Sequence, residues 1–119
     1  MSNRPDVSYA KHILMSETKK IFKELFGKGP EKVTLRLAGD VIVLEFFGFL
    51  RSVEIQMIKQ YPEKARVIKA YRKAIFEYME DVIIQRVEEL LGCGINKLIC
   101  DVDMFANTAT CLVMLDREL

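Results

Sequence analysis

Lys32 to Phe47 reads KVTLRLAGDVIVLEFF, and the reading of this stretch decides the fold. Val33, Leu35 and Leu37 alternate with Lys32, Thr34 and Arg36, the period of a strand with one buried face. Gly39-Asp40 separates this run from a second one, Val41 to Phe47. Glycine stands at the first central position, as a two-residue type II′ turn requires. With Ala38 facing Val41, the residues Val33, Leu35 and Leu37 stand opposite Phe46, Leu44 and Ile42. Six apolar side chains then share one face, and a one-residue slip would destroy that agreement. The stretch predicts an antiparallel hairpin in one register.

Working outward, Ile13, Leu14, Thr18, Ile21, Phe22, Leu25 and Phe26 recur at helical spacing and predict a helix from about Ser8 to Phe26. Gly27 and Gly29 end it and Pro30 blocks its continuation. Beyond the hairpin, a short helix of about Ser52 to Gln60 is expected to carry Val53, Met57 and Ile58 inward. Tyr61-Pro62 closes it. A long helix follows, from about Glu63 to Leu91, with Ile68, Tyr71, Ile75, Tyr78, Met79, Val82 and Leu90 as its stripe. At 1.5 Å per residue it runs about 42 Å, more than a four-stranded sheet of this size covers. A second hairpin closes the chain. Leu98, Cys100 and Val102 alternate with Lys97, Ile99 and Asp101, and a turn over Asp103 to Asn107 leads into a strand from Thr108 to Leu115.

Glu24 to Val33 aligns without gaps on Glu89 to Leu98, each reading as helix end, glycine turn and strand start. Duplication and the ordinary grammar of a helix-to-strand junction both account for it. The order of elements predicts an α+β fold, a two-layer sandwich of a four-stranded antiparallel sheet with helices on one face. The order of the strands stays open.

The 119 residues make one domain, 1–119. Half of them are apolar and 29% are charged, a globular composition. Eighteen basic against 17 acidic residues leave a net charge of +1, so no overall field draws the chain to nucleic acid or anionic lipid. The basic residues of the first helix (Lys11, Lys19, Lys20, Lys23) and of the long one (Lys64, Arg66, Lys69, Arg72, Lys73) are read as solvated faces. No nucleic-acid partner is expected. Met1 to Ala10 lacks the apolar stretch of a signal peptide. The longest apolar run, Val41 to Leu50, is interrupted by Glu45 and reaches half of the roughly 20 residues a bilayer span needs. Direct membrane insertion is therefore not expected. Three irregularly spaced cysteines point to a reducing compartment, and a cytoplasmic location is expected.

Chemistry-bearing residues are sparse, with one histidine and no tryptophan. In the predicted register Cys100 lies opposite Cys111, and both are expected to be reduced, small buried hydrophobes. Cys93, between Gly92 and Gly94, is expected to be more exposed. Asp101 and Asp103 share a strand face, but two carboxylates are few for a hard cation. His12 has no second imidazole or thiol near it in sequence. Gly27-Lys28-Gly29-Pro30 closes a helix, whereas phosphate loops open one. No catalytic, cofactor or metal set is expected.

The other face of the predicted sheet stands out. It carries Val41, Val43, Phe47, Ile99, Leu112 and Met114 among Thr34, Arg36, Glu45 and Thr110. A sheet covered on one side ordinarily turns polar on the other, and a patch this large on a monomer marks a contact surface. These six residues are candidates for a homodimer interface. Tyr71, Tyr78 and Val82 of the long helix are a second candidate contact. The rival reading is a small-ligand sensor or enzyme with a pocket between helices and sheet, its polar groups being Arg72, Asp101 and Asp103.

Gly29-Pro30, the strand Val33 to Leu37, Gly39-Asp40, Gly48-x-Leu50 and Glu54 together resemble the opening signature of the MpsC family. That family is named for a component of a sodium-translocating, membrane-potential-generating system. Arg72, the Gly92 to Gly94 junction and Asp101-Val102-Asp103 match its second half, and the resemblance spans about residues 8 to 116. Where members typically carry Thr-Pro after the Leu50 position, this chain has Arg51-Ser52, which weakens the helix cap there. The resemblance implies a non-enzymatic accessory or regulatory module associated with a membrane bicarbonate/cation uptake system, with a membrane-protein partner and no carried-over catalytic residue.

Overall fold

A computed structural model describes residues 7–119. Along the chain run α1 (Val7–Phe26), β1 (Lys32–Ala38), β2 (Val41–Phe47), α2 (Ser52–Gln60), α3 (Lys64–Leu91), β3 (Ile95–Asp103) and β4 (Thr108–Leu115). The reading of Met1 to Ala10 as a stretch without a signal peptide's apolar run falls in part on residues 1–6, which lie outside the described residues.

The first hairpin has the expected register, with Ala38 against Val41, Leu37 against Ile42, Leu35 against Leu44 and Val33 against Phe46. Gly39 takes a φ of 63°, the left-handed first position of the turn. The second hairpin pairs Asp103 with Thr108 and Cys100 with Cys111. The strand order is β1-β2-β4-β3. Antiparallel β2 and β4 join the hairpins, placing Ile42 beside Val113, Leu44 beside Cys111 and Phe46 beside Ala109. One apolar face thus runs across the sheet. Leu14 and Ile21 of α1 and Ile68, Ile83, Val87 and Leu91 of α3 are buried with it.

The two halves end their helices alike, since Gly27 (φ 81°) and Gly92 (φ 68°) both lie in the left-handed region that closes a helix. The Gly92 amide donates to the Glu88 carbonyl at 2.9 Å, and the Glu88 carboxylate accepts from the Ile95 amide at 2.8 Å. Helix end and strand start are thereby held together. Arg86 of α3 donates to Glu17 and Glu24 and ties that helix to α1.

Two helix faces differ from expectation. In α2, Val53 (53% exposed) and Met57 (38%) face outward, while Glu54 and Ile58 are buried. In α3 the buried stripe is Ala65, Ile68, Arg72, Ile83, Val87 and Leu91, whereas Tyr71 (64% exposed), Tyr78 (87%) and Val82 (47%) face out. One cause serves both. Glu54 and Arg72 neutralise each other, so two charged residues can take the inward positions that an apolar count assigns elsewhere.

The connection from β2 to α2 is held by Lys28 Nζ, which donates to the Leu50 carbonyl at 3.1 Å, and above all by Asn107. Asn107, in the β3–β4 turn, accepts from the Phe49 and Leu50 amides through Oδ1, both at 3.0 Å. Its carbonyl accepts from the Gly48 amide at 2.9 Å. Asn107 has a φ of 55°, a region asparagine tolerates better than most residues. Gly48 has a φ of 68°, and a Cβ there would meet the Glu31 side chain at 2.7 Å. The joint seats Phe49 and Leu50, each 1% exposed. Asn107→Ala is expected to cost about 2–3 kcal/mol, because two shielded amides lose their acceptor. Asn107→Asp keeps that acceptor and should lose much less. Urea denaturation of both variants measures it, and equal losses would contradict the assignment.

Candidate functional site

Arg72 stands one turn beyond Ile68 on the buried stripe of α3, facing Glu54 from the first turn of α2. Arg72 Nε donates to Glu54 Oε2 at 3.0 Å and Nη2 donates to Oε1 at 2.5 Å. The Arg51 amide also donates to Glu54 Oε1, at 2.8 Å. Glu54 therefore caps its own helix as well as binding Arg72, which makes good the cap weakened at Arg51-Ser52. The guanidinium carbon lies 4.4 Å from the Phe26 ring centre and 5.3 Å from that of Phe49. Such contacts with ring faces stabilise a cation that has left water.

Burial alone would raise the Glu54 pKa. The Arg72 hydrogen bond, the Arg51 amide and the charges of both arginines outweigh it, and the pKa falls below its ordinary value of 4.5. One donor stays unused. Arg72 Nη1 is buried without a hydrogen-bond partner, the only such side-chain nitrogen or oxygen among the described residues.

Beside this pair a cavity of about 410 Å³ opens between α1, α3 and the inner face of the sheet. Arg72 lines it together with Phe22, Phe26, Phe49, Phe76 and Ile83. Its volume falls in the range of about 300–1,000 Å³ usual for small-molecule sites. Asp101 lines the same cavity and lies 3.6 Å from Lys69 Nζ. Asp103 does not join them, because its Oδ1 accepts from the Phe105 and Ala106 amides and holds the turn. The structure thus brings two of the three expected polar residues, Arg72 and Asp101, to the lining of one cavity, and pairs Arg72 with Glu54, which does not line it. A carboxylate at the third position of a helix, where it can reach back to the preceding amide, was the signal for Glu54. Asn107, the other omission, carried only the turn preference of its residue type.

The cysteines depart from expectation. Cys100 and Cys111 are joined in a disulfide across β3 and β4, with Cα atoms 4.1 Å apart. They are neither reduced nor both buried, since Cys100 is exposed and Cys111 half-buried, while Cys93 is buried. The register sets the pair directly opposite each other, and α3 leaves the outer end of β3 uncovered. A disulfide is uncommon in a reducing compartment, so the cysteines no longer speak for one. Protein purified without reductant should take up no maleimide at Cys100 or Cys111. After reduction Cys100 should label before Cys93. Peptide mass mapping reads both, and labelling of Cys100 without reductant would contradict the bond. His12 is exposed on α1. No group of three or more potential metal ligands occurs among the described residues.

The opposite face of the sheet carries the residues expected there. Pairing places Arg36, Val43, Leu112 and Ile99 in one row and Ala38, Val41, Met114 and Lys97 in the next. Val41, Val43, Leu112 and Met114 are half-buried by one another, and Ile99 is exposed. Phe47 lies two rows away, under the ammonium of Lys32 at 5.5 Å. Tyr71, Tyr78 and Val82 follow Val67 along the outer side of α3, and all four are exposed.

No helix among the described residues is long and apolar enough to cross a membrane. Residues 9–117 match the family model described as "Na+-translocating membrane potential-generating system (MpsC)". The uncharacterized protein YrhF of Bacillus subtilis (strain 168) is 29% identical over 102 residues, 85% of this chain and 83% of that protein. No solved structure matches the chain.

Proposed function

This chain belongs to the MpsC family, and from that premise we propose that it is a non-enzymatic accessory module of a membrane-potential-generating system, working as a homodimer at the cytoplasmic face beside a membrane-protein partner. The observation that carries the reading is the apolar patch of Val41, Val43, Leu112, Met114 and Ile99 on the side of the sheet away from the core. A specific contact with an apolar centre ordinarily buries at least about 1,000 Å² in total. Two such faces meeting about a two-fold axis would cover the patch on both copies at once. Coupling of such a dimer to bicarbonate or cation uptake rests on the family.

Sedimentation equilibrium at tens of micromolar tests the assembly. The expected mass is twice the 13.8 kDa of the chain, and a monomer mass would overturn the homodimer. Affinity purification from detergent-solubilised membranes, with the bound proteins identified by mass spectrometry, tests the membrane partner. Recovery of the chain alone would overturn that part.

A second reading, a small-ligand sensor, is favoured by the cavity beside Arg72.

A further inference from the structure

We propose that the cavity between α1, α3 and the sheet is a binding site for an apolar carboxylate, with the head group on Arg72 Nη1 and the tail along Phe22, Phe76 and Ile83.

The cavity is mostly apolar, so its occupant must bring apolar surface to cover. At about 410 Å³ it is large enough for a small molecule and outlines a defined volume. The unused donor sets the chemistry of the head. Glu54 takes Nε and Nη2 of Arg72 and leaves Nη1 without an acceptor. A buried donor lacking a partner is unfavourable, and because nearly all buried polar groups in native proteins are paired, this exception calls for an explanation. Only an acceptor can answer it. A cationic head would be repelled, and an alkane would leave Nη1 as it is.

Carboxylate is favoured over a neutral carbonyl by its surroundings. Of the other charged residues lining the cavity, Lys69 and Lys73 stand within one turn of Arg72 on α3, whereas Glu77 and Glu80 stand more than one and more than two turns further along and Asp101 is held by Lys69 at 3.6 Å. Arg51 lies 3.7 Å from Glu54 on the far side of the pair. The Glu54 charge is thus shared between two guanidinium groups, and Arg72 keeps attraction for a second anion. An ionised acceptor also makes the stronger hydrogen bond.

Phe26 forms the lid of the site. Its ring lies over the guanidinium at 4.4 Å, it is half-buried, and it is the last residue of α1. Nη1 is itself buried, so on binding the Phe26 ring turns aside to let the head group reach it.

The test compares three ten-carbon probes on the full chain: decanoate, decanol and decyltrimethylammonium, each below its micelle concentration. Titration is followed by calorimetry and by amide chemical shifts. Decanoate should bind at least about tenfold more tightly than decanol, shifting the amides around Phe22, Arg72 and Phe76. Decyltrimethylammonium should not bind. No binding of decanoate, or equal binding of decanoate and decanol, would overturn the proposal. Ala109→Leu fills the cavity from β4 without touching Arg72. It should abolish decanoate binding, and undiminished binding to this variant would move the ligand elsewhere and overturn the site. If Ala109→Leu fails to fold, the three probes on the unaltered chain decide alone.

Discussion

Arg72→Met should destabilise the chain by about 3–5 kcal/mol, the cost of leaving one member of a buried ion pair without the other. Glu54 would keep its buried position at 6% exposure and lose both side-chain donors to its oxygens. The same change removes the cation stacked against Phe26 and Phe49. Glu54→Gln should cost less, because the amide oxygen can still accept from Arg72 or from the Arg51 amide. The double change Glu54→Gln with Arg72→Met removes both charges. It should recover part of the single arginine loss, since two uncharged side chains need no solvation. A double-mutant cycle in urea measures the coupling. A single-variant loss below about 1 kcal/mol would mean that the pair is not buried in solution.

The pair also sets a pH dependence. The Glu54 pKa is lowered in the folded chain. Its contribution is therefore complete above the ordinary carboxylate value of 4.5 and is lost as pH falls through the lower folded value. Acid unfolding of the unaltered chain should steepen below pH 4.5, and Glu54→Gln should remove that component. A Glu54→Gln stability curve parallel to the parent's in this range would show that another group carries it.

The second large effect concerns association. Val43→Lys and Leu112→Lys each place an ammonium in the centre of the outer patch. Burying such a charge without a partner costs several kcal/mol, so either change should weaken the dimer at least about a hundredfold. Val43 and Leu112 are paired neighbours, which makes the two variants independent probes of one spot. Lys20→Glu on α1, an exposed residue remote from that face, should leave the mass unchanged. A dimer indifferent to both lysine variants would transfer the contact to α3, around Tyr71, Tyr78 and Val82. Circular dichroism of each variant separates loss of association from loss of fold.

How far the sequence reaches depends on the range of the interaction that decides each feature. The first hairpin is fixed by the alternation of Val33 to Phe46 and a Gly-Asp turn, all local, and its register follows residue by residue. The left-handed ends at Gly27 and Gly92 are equally local. The pairing of β2 with β4 is not, because nothing within either hairpin states which strand lies inside. The inward face of α3 was misread for the same reason. Periodicity counts apolar residues, and Arg72 becomes an inward residue only because Glu54, 18 positions earlier, neutralises it. For the cysteines, alternation put Cys100 opposite Cys111. Their bonding and exposure depend on how loosely α3 covers β3, which no pattern within the strand records. In the site, Arg72 and Asp101 were legible as polar residues beside a pocket, whereas Glu54 was named only as a member of the family signature.

The order β1-β2-β4-β3 leaves β1 and β3 as rims. On the outer surface these rims carry Lys32 and Arg36 on one side and Lys97, Asp101 and Asp103 on the other. Apart from Ile99 on β3, the patch residues Val41, Val43, Leu112 and Met114 lie on the two inner strands. Charged borders discourage strand-by-strand growth, the route by which open sheets polymerise. An encounter between two copies is therefore steered to lie flat, face upon face, and such stacking ends once each face is used. A substitution that neutralised the rims, such as Arg36→Val with Lys97→Val, would leave the stacking surface in place and open a path to fibrils.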